Sequence, residues 1–157
     1  MQKVNIFIDT YHTGHLKKGT GTYCIVLEYI TSGGVPATRE YIEGLKGTTK
    51  NRTAIRACIA ALEHMIKPCD IQITINSEHV TEAINTNAWF TWINTGKNAK
   101  GKPVKNMDLW QRLFELVDRH STVFTYAERN SYTAFMQYEM NRKAIELAED
   151  TINENNV

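Results

Sequence analysis

The sequence predicts an α/β domain built on a mixed five-stranded sheet with helices on its faces. Two patterns predict this class: three strand-like runs follow one another at the start of the chain, and helical segments separate the later strand-like runs. Consecutive strands become antiparallel neighbours, whereas strands joined through helices lie parallel. A chain of 157 residues is long enough for one well-buried core. We therefore expect a single domain over residues 1–157.

Hydrophobic periodicity assigns each element in turn. Val4, Ile6 and Ile8 alternate in the first strand, and the turn-forming segment "TSGGVP" separates the second strand from the third. Helical spacing then extends from Lys50 to Ile66. The remaining elements are a strand at 70–76, a short helix capped by Ser77, an amphipathic helix in "MDLWQRLFELVDRH", a strand in "STVFTYAE" and a helix at roughly 132–152, with a frayed tail at 153–157.

Charge and composition narrow the possible functions. Because 18 basic residues nearly balance 17 acidic ones, attraction to nucleic acid must come from a local patch. The spacing of Cys24, Cys58 and Cys69 suits neither a disulfide framework nor a metal site, so reduced core thiols are expected. No apolar run reaches the length of a secretory or membrane-spanning segment, and we expect a cytoplasmic protein with no membrane contact.

The order of elements and several strings resemble type 1 ribonuclease H. The strings are "IFID", "GTGTYCIVLEY", "TTKNRTAIRACIAALE", "ITINSEHV", "GKPVKNMDLWQRL" and "NRKAIELA", which occur in the family's order along nearly the full chain. The resemblance implies a ribonuclease H-like fold. It also implies hydrolysis of the RNA strand of an RNA/DNA hybrid, by two divalent ions that four carboxylates hold.

The resemblance carries the four carboxylate positions to Asp9, Ala54, Asn76 and Ile145, of which only Asp9 is an acid. A histidine of the family that assists turnover falls near Asn130. We therefore expect no two-metal site, and at most one weakly bound Mg²⁺ at Asp9 and the Asn76 carbonyl. Mg²⁺ or Mn²⁺ would be the cofactor only of residual activity.

One alternative to this loss of the metal site stays open. Acids could have moved to nearby positions, for which the candidates are Glu78, Glu139 and Glu146. The purely structural explanation of Ile145 is that it extends a core stripe with Ala148 and Ile152.

Two strings predict contacts with nucleic acid. The resemblance assigns phosphate and minor-groove contacts to the string "TTKNR", whose residues are Thr48, Thr49, Lys50, Asn51 and Arg52, although Thr48 or Thr49 could simply cap a helix. It also places a basic patch after the family's protrusion, at Lys97, Lys100, Lys102 and Lys105, which could otherwise be a solvated loop.

Less specific features lie beside these strings. The segment "NAWFTWIN" favours a helix packed under the basic loop over base stacking. His12 and His15 follow Asp9 and are more typical of plain loop histidines than of ligands to metal or phosphate.

The preferred hypothesis is a pseudoenzyme of the ribonuclease H fold that binds an RNA/DNA hybrid or another duplex without efficient cleavage. One alternative is an active, metal-dependent endoribonuclease with a reduced or rebuilt metal site. The other is a non-catalytic interaction module with a protein partner. The fold by itself does not distinguish among the three.

Overall fold

The fold has five strands and five helices in the part of the chain described by a computed structural model, residues 1–13 and 18–156. The strands are β1 (Gln2–His12), β2 (Gly19–Tyr29), β3 (Ala37–Thr48), β4 (Cys69–Ile75) and β5 (Ser121–Tyr126). The helices are α1 (Lys50–Glu63), α2 (Glu78–Asn85), α3 (Trp89–Thr95), α4 (Met107–Val117) and α5 (Thr133–Asn155).

All five strands form one sheet in the order β3-β2-β1-β4-β5. The β1–β2 and β2–β3 pairs are antiparallel, and the β1–β4 and β4–β5 pairs are parallel. The predicted mixed sheet with helices on its faces is therefore confirmed. The parallel pairs bring the carboxyl ends of β4 and β5 to one edge, where loops that carry functional groups collect in α/β proteins.

The core is divided between the two faces of the sheet. Val4, Ile6 and Ile8 belong to the larger cluster, which also contains the buried side chains of α1, α2 and α4. The smaller cluster joins β2 to α5 through Cys24, Val26, Met136 and Met140. Because side chains alternate along a strand, Asp9 faces the same side of the sheet as α5.

Helix α1 begins where the sequence predicts and ends earlier. Thr49 is its N-cap, and the Thr49 hydroxyl accepts a hydrogen bond of 3.2 Å from the Arg52 amide. The helix stops at Glu63, so the predicted end at Ile66 is wrong. Ile66 is 100% exposed, because the chain leaves the helix before that position can face the core.

The Trp-rich segment is helical, as the sequence indicates, and the end of the chain is helical further than predicted. The segment at 89–95 forms α3. Trp89 stacks on Phe114 of α4 with ring centroids 5.4 Å apart, and Trp92 makes an edge contact with Trp110 at 5.3 Å. Helix α5 continues three residues past its predicted end, and an ion pair of 3.5 Å between Glu154 and Lys46 holds its last turn to β3.

Among the described residues, no helix combines the length and the apolar character needed to cross a membrane.

Candidate functional site

The candidate site begins with Asp9, a nearly buried carboxylate on β1 that is 3% exposed. Its burial raises the pKa from 3.8 to about 6, the negative charge of Glu128 adds to this rise, and Arg129 opposes it. The side-chain amide of Asn130 donates a hydrogen bond of 3.4 Å to Asp9 Oδ1. Asp9 is therefore a weakly acidic group whose nearest polar contact is neutral.

Asn76 directly follows β4, the strand that pairs with β1, and its side chain is hydrogen-bonded to the β1 backbone. Ile8 pairs with Ile75 in the β1–β4 ladder, so Asp9 and Asn76 occupy the next positions. Asn76 Oδ1 accepts hydrogen bonds from the Thr10 amide at 3.0 Å and the Thr10 hydroxyl at 3.1 Å, and Asn76 Nδ2 donates to the Thr10 carbonyl at 3.0 Å. An aspartate could not make the last of these bonds, since an ionised carboxylate only accepts.

The other two carboxylate positions hold side chains without oxygen or nitrogen ligand atoms. Ala54 is 1% exposed within the larger core cluster, and its methyl group offers no ligand. Ile145 lies on α5 about 18 Å along the helix axis from Thr133, at a rise of about 1.5 Å per residue. Thr133 is close to the site, because its hydroxyl accepts from the Asn130 amide at 2.7 Å. Ile145 is 52% exposed, so the alternative that it extends a core stripe is wrong.

The acids that the sequence offers as replacements are engaged elsewhere or exposed. Glu139 forms an ion pair of 3.3 Å with Arg142, and Glu146 forms one of 3.5 Å with Lys143. Glu78 is exposed in the first turn of α2.

Glu128 is an acid of the site that sequence reasoning missed. Its charge acts on Asp9, and its carboxylate accepts a hydrogen bond from the Tyr126 hydroxyl. The available signal was its position just after β5, since Tyr126 pairs with Ile75 and this loop therefore reaches the same edge of the sheet. Within residues 1–13 and 18–156, no three or more His, Cys, Asp or Glu side chains form a group that could hold a metal ion.

The oxygen atoms that Asp9 and Asn76 offer as metal ligands do not fit a pair of Mg²⁺ ions. Such a pair needs several closely spaced anionic oxygens. Here Asp9 is a carboxylate with a raised pKa, and both lone pairs of the Asn76 carbonyl oxygen are used by Thr10. The oxygen that would have supported one weakly bound ion beside Asp9 is therefore already saturated.

The residues of the string "TTKNR" cap and orient the start of α1. Thr48 is buried, and its carbonyl accepts a hydrogen bond of 2.7 Å from His12 Nε2. Thr49 is the N-cap of α1, so the alternative that a threonine of this string caps a helix is confirmed. Lys50 and Asn51 are exposed in the first turn of the helix. His15 lies outside the described residues.

Arg52 links this string to the start of α4. Its guanidinium donates to both carboxylate oxygens of Asp108, at 3.3 and 2.9 Å, and to Asn106 Oδ1 at 3.1 Å. The hydrogen bond from Arg52 holds the pKa of the Asp108 carboxyl below its usual value. Because Asn106 ends the string "GKPVKN", the structure brings the two predicted binding strings together.

The basic loop is ordered by its own hydrogen bonds. Asn98 Oδ1 accepts from the amides of Lys100 and Lys102, both at 3.0 Å, and an isolated bridge pairs Lys97 with Pro103. The side chains of Lys97, Lys100, Lys102 and Lys105 are all exposed. Four cations are thus displayed on a defined turn beside Asn106.

Comparison with known proteins decides the family. The ribonuclease H family model matches residues 1–152. The chain belongs to the ribonuclease H family. A ribonuclease H of Lachnoclostridium phytofermentans is 39% identical over 127 residues, which cover 80% of each chain. A ribonuclease H of Clostridium botulinum type A is 33% identical over 159 residues, which cover 100% of each chain.

Solved ribonuclease H structures show the same fold. A crystal structure of LC9-RNase H1, described as a type 1 RNase H with the type 2 active-site motif, has a TM-score of 0.73 at 22% identity and covers 88% of this chain and 69% of that chain. LC11-RNase H1, solved in complex with an RNA/DNA hybrid, has a TM-score of 0.66 at 16% identity and covers 92% of this chain and 99% of that chain. At these identities the likeness concerns the fold.

Proposed function

We propose that this ribonuclease H family member binds an RNA/DNA hybrid or another duplex without cleaving it efficiently. The observation that carries the proposal is the reciprocal bonding of Asn76 to Thr10. Where the family resemblance expects a metal-binding acid, the chain uses a neutral side chain to join two strands. Asp9 is then the one acid among the four carried-over positions.

Electrostatics supports weak or absent two-metal chemistry. Clustered carboxylates repel one another until a cation arrives, and this repulsion is a source of metal affinity. A single carboxyl with a pKa of about 6 has no such partner in Asn76, and it is partly protonated near neutral pH. We expect cleavage to fall by several orders of magnitude relative to a four-carboxylate site.

The joined surface of "TTKNR" and "GKPVKN" supports binding. The exposed cations Lys50, Lys102 and Lys105 lie on the two segments that Arg52 connects through Asn106 and Asp108. Phosphate contacts of this kind provide affinity without reading sequence, so binding should weaken steeply as salt rises. The relative LC11-RNase H1, solved with an RNA/DNA hybrid, makes that duplex the first ligand to test.

A second candidate function is an active ribonuclease with a rebuilt site. Two observations favour it: the relatives at 39% and 33% identity are named ribonuclease H, and Glu128 is exposed while its charge acts on Asp9. In that case a divalent ion would depend on Asp9 and Glu128 instead of on Asn76.

One gel experiment separates these functions. End-labelled RNA/DNA hybrid is incubated with the protein in EDTA, Mg²⁺ or Mn²⁺, and retardation and cleavage are both recorded. Retardation without cleavage supports the proposal. Cleavage that both Asp9→Asn and Glu128→Gln abolish would establish the second candidate, and neither retardation nor cleavage would favour a protein-interaction module.

Matched variants identify the binding surface in the same gel. Lys102→Ala should reduce retardation of the hybrid. Lys67→Ala removes the same charge just before β4, at the opposite edge of the sheet from Asn76, and should leave retardation unchanged. Equal effects of the two substitutions would show that the contact is a diffuse charge effect.

A further inference from the structure

The outward face of α5 carries an apolar stripe that the proposed binding site does not use. Tyr138, Ile145 and Ile152 are 64%, 52% and 59% exposed and lie seven positions apart. The opposite face of the same helix packs on the sheet through Met136 and Met140. The helix is therefore buried on one side and apolar along a line on the other.

The spacing of this stripe is that of a helix–helix contact. A repeat of seven residues drifts by about 20° per heptad on a straight helix, which suits a left-handed pairing with a second helix. Between the large side chains lie Asn141 and Ala148, which complete a seam of alternating spacing three and four. Single exposed apolar residues are ordinary on protein surfaces, whereas here three large apolar side chains recur at one heptad position of one helix.

We propose that a second copy of this chain docks on this stripe, with the two α5 helices antiparallel about a two-fold axis. Ile145 of each copy then packs against Ala148 of the other, and Ile152 packs against Asn141. An antiparallel helix pair of this kind is self-complementary, as a two-fold interface requires.

The charged residues beside the stripe favour a second copy of the chain as the partner, and they favour the antiparallel arrangement of the two helices. Arg142 and Glu149 follow Tyr138 and Ile145 by four positions, so both lie on one edge. In an antiparallel pair the same edges face each other, and each Arg142 meets Glu149 of the other copy. A parallel pair would separate them. The Arg142 side chain is 63% exposed, so it can reach outward to a partner without leaving a buried position.

The other edge of the stripe offers no obstacle to this pairing. It carries Gln137, Ala144 and Thr151, which are uncharged. Helix α5 packs on β1, β2 and β3, so the dimer would place the two sheets on opposite sides of the helix pair. Few large apolar side chains contribute, so we expect a weak dimer with a dissociation constant of roughly 10 to 100 µM.

Charge exchange in analytical ultracentrifugation tests the proposal. The wild-type chain should shift from monomer to dimer between about 5 and about 500 µM. Arg142→Glu and Glu149→Arg should each weaken the dimer roughly tenfold, because each creates two repulsive contacts. The double variant, with both substitutions, should restore the wild-type constant. Circular dichroism checks that every variant is folded.

A matched apolar substitution completes the test. Ile145→Glu should leave the chain monomeric, whereas Ile66→Glu, at a fully exposed position outside α5, should leave the dimer unchanged. A wild-type chain that stays monomeric throughout the range overturns the proposal. So does a dimer that Ile145→Glu does not dissociate, or one that the double charge exchange fails to restore.

Discussion

Asn76 and Thr10 pair as though the parallel ladder of β1 and β4 had one more residue. The ladder's last backbone pair is Ile8 with Ile75, and beyond it the carboxamide of Asn76 both donates to and accepts from the Thr10 backbone. These hydrogen bonds extend the pairing of β1 and β4 by one position beside Asp9. A residue that looks like a neutralised ligand in the sequence is therefore also a structural connection.

Asn76→Asp should destabilise the protein at pH 7. The substitution removes the donor to the Thr10 carbonyl and sets a carboxylate against that oxygen, at a cost of about 1–3 kcal/mol in the free energy of unfolding. Urea denaturation measures it. Asn153→Asp, at an exposed position on α5, is the matched control and should change stability by less than about 0.5 kcal/mol. An Asn76→Asp chain as stable as the control would contradict the structural role of the amide.

Asp9 should make stability fall as the pH rises from about 4 to about 7. Its folded-state pKa of about 6 lies above the ordinary value of 3.8, so the folded state holds the proton more tightly than the unfolded chain. Well below pH 3.8 the carboxyl is neutral in both states, and there is no penalty. As the pH passes through about 6 the buried group ionises, and up to about 3 kcal/mol of stability is lost.

The variant Asp9→Asn isolates this contribution from other titrating groups. Its stability minus that of the wild type should increase by up to about 3 kcal/mol between about pH 4 and about pH 7.5. Urea denaturation in the presence of EDTA gives both values without interference from divalent ions. A difference that is the same at both pH values would rule out ionisation of a buried Asp9 as its cause.

Restored acids should create a metal site only where the structure places them near Asp9. In a chain carrying Ala54→Glu and Asn76→Asp, Asn130→Asp adds a carboxylate at a position that already touches Asp9. We expect Mg²⁺ to raise the melting temperature of that triple variant by several degrees, because the ion relieves repulsion between the acids in the folded state. Differential scanning fluorimetry with and without Mg²⁺ measures the shift.

Ile145→Asp in the same background is the matched control. It adds an equal charge at an exposed position far along α5, so Mg²⁺ should raise the melting temperature no further than in the double variant. A larger Mg²⁺ response from Ile145→Asp than from Asn130→Asp would show that the carried-over position, and not the structural neighbour, belongs to the site.

The mixed sheet could be predicted from the sequence because hydrophobic alternation and helical spacing are local signals. It could assign Asp9 and Asn76 to strand ends, but the hydrogen bonds of Asn76 to Thr10 join residues far apart in the chain. The position of Glu128 just after β5 was a weak signal, because the parallel pairing of β4 and β5 that carries this loop towards Asp9 is visible only in the structure. The match of "NRKAIELA" to the family carried an acid position to Ile145. That match did not take into account the stretch of α5 that precedes Ile145 and separates it from the first turn of the helix.

Arg52 and Lys102 should differ in how they contribute to nucleic-acid binding, although each is a single cation in a predicted binding string. Lys102 is exposed on the basic loop, so Lys102→Ala should remove one phosphate contact and reduce the slope of log affinity against log salt by about 1. Arg52 is already neutralised by its two hydrogen bonds to Asp108. Replacing both Arg52 and Asp108 by Ala should therefore leave the slope unchanged.

Fluorescence anisotropy with a labelled RNA/DNA hybrid, titrated at several salt concentrations, gives both slopes. A slope reduced as much by the double variant as by Lys102→Ala would mean that Arg52 leaves Asp108 to contact phosphate in the complex.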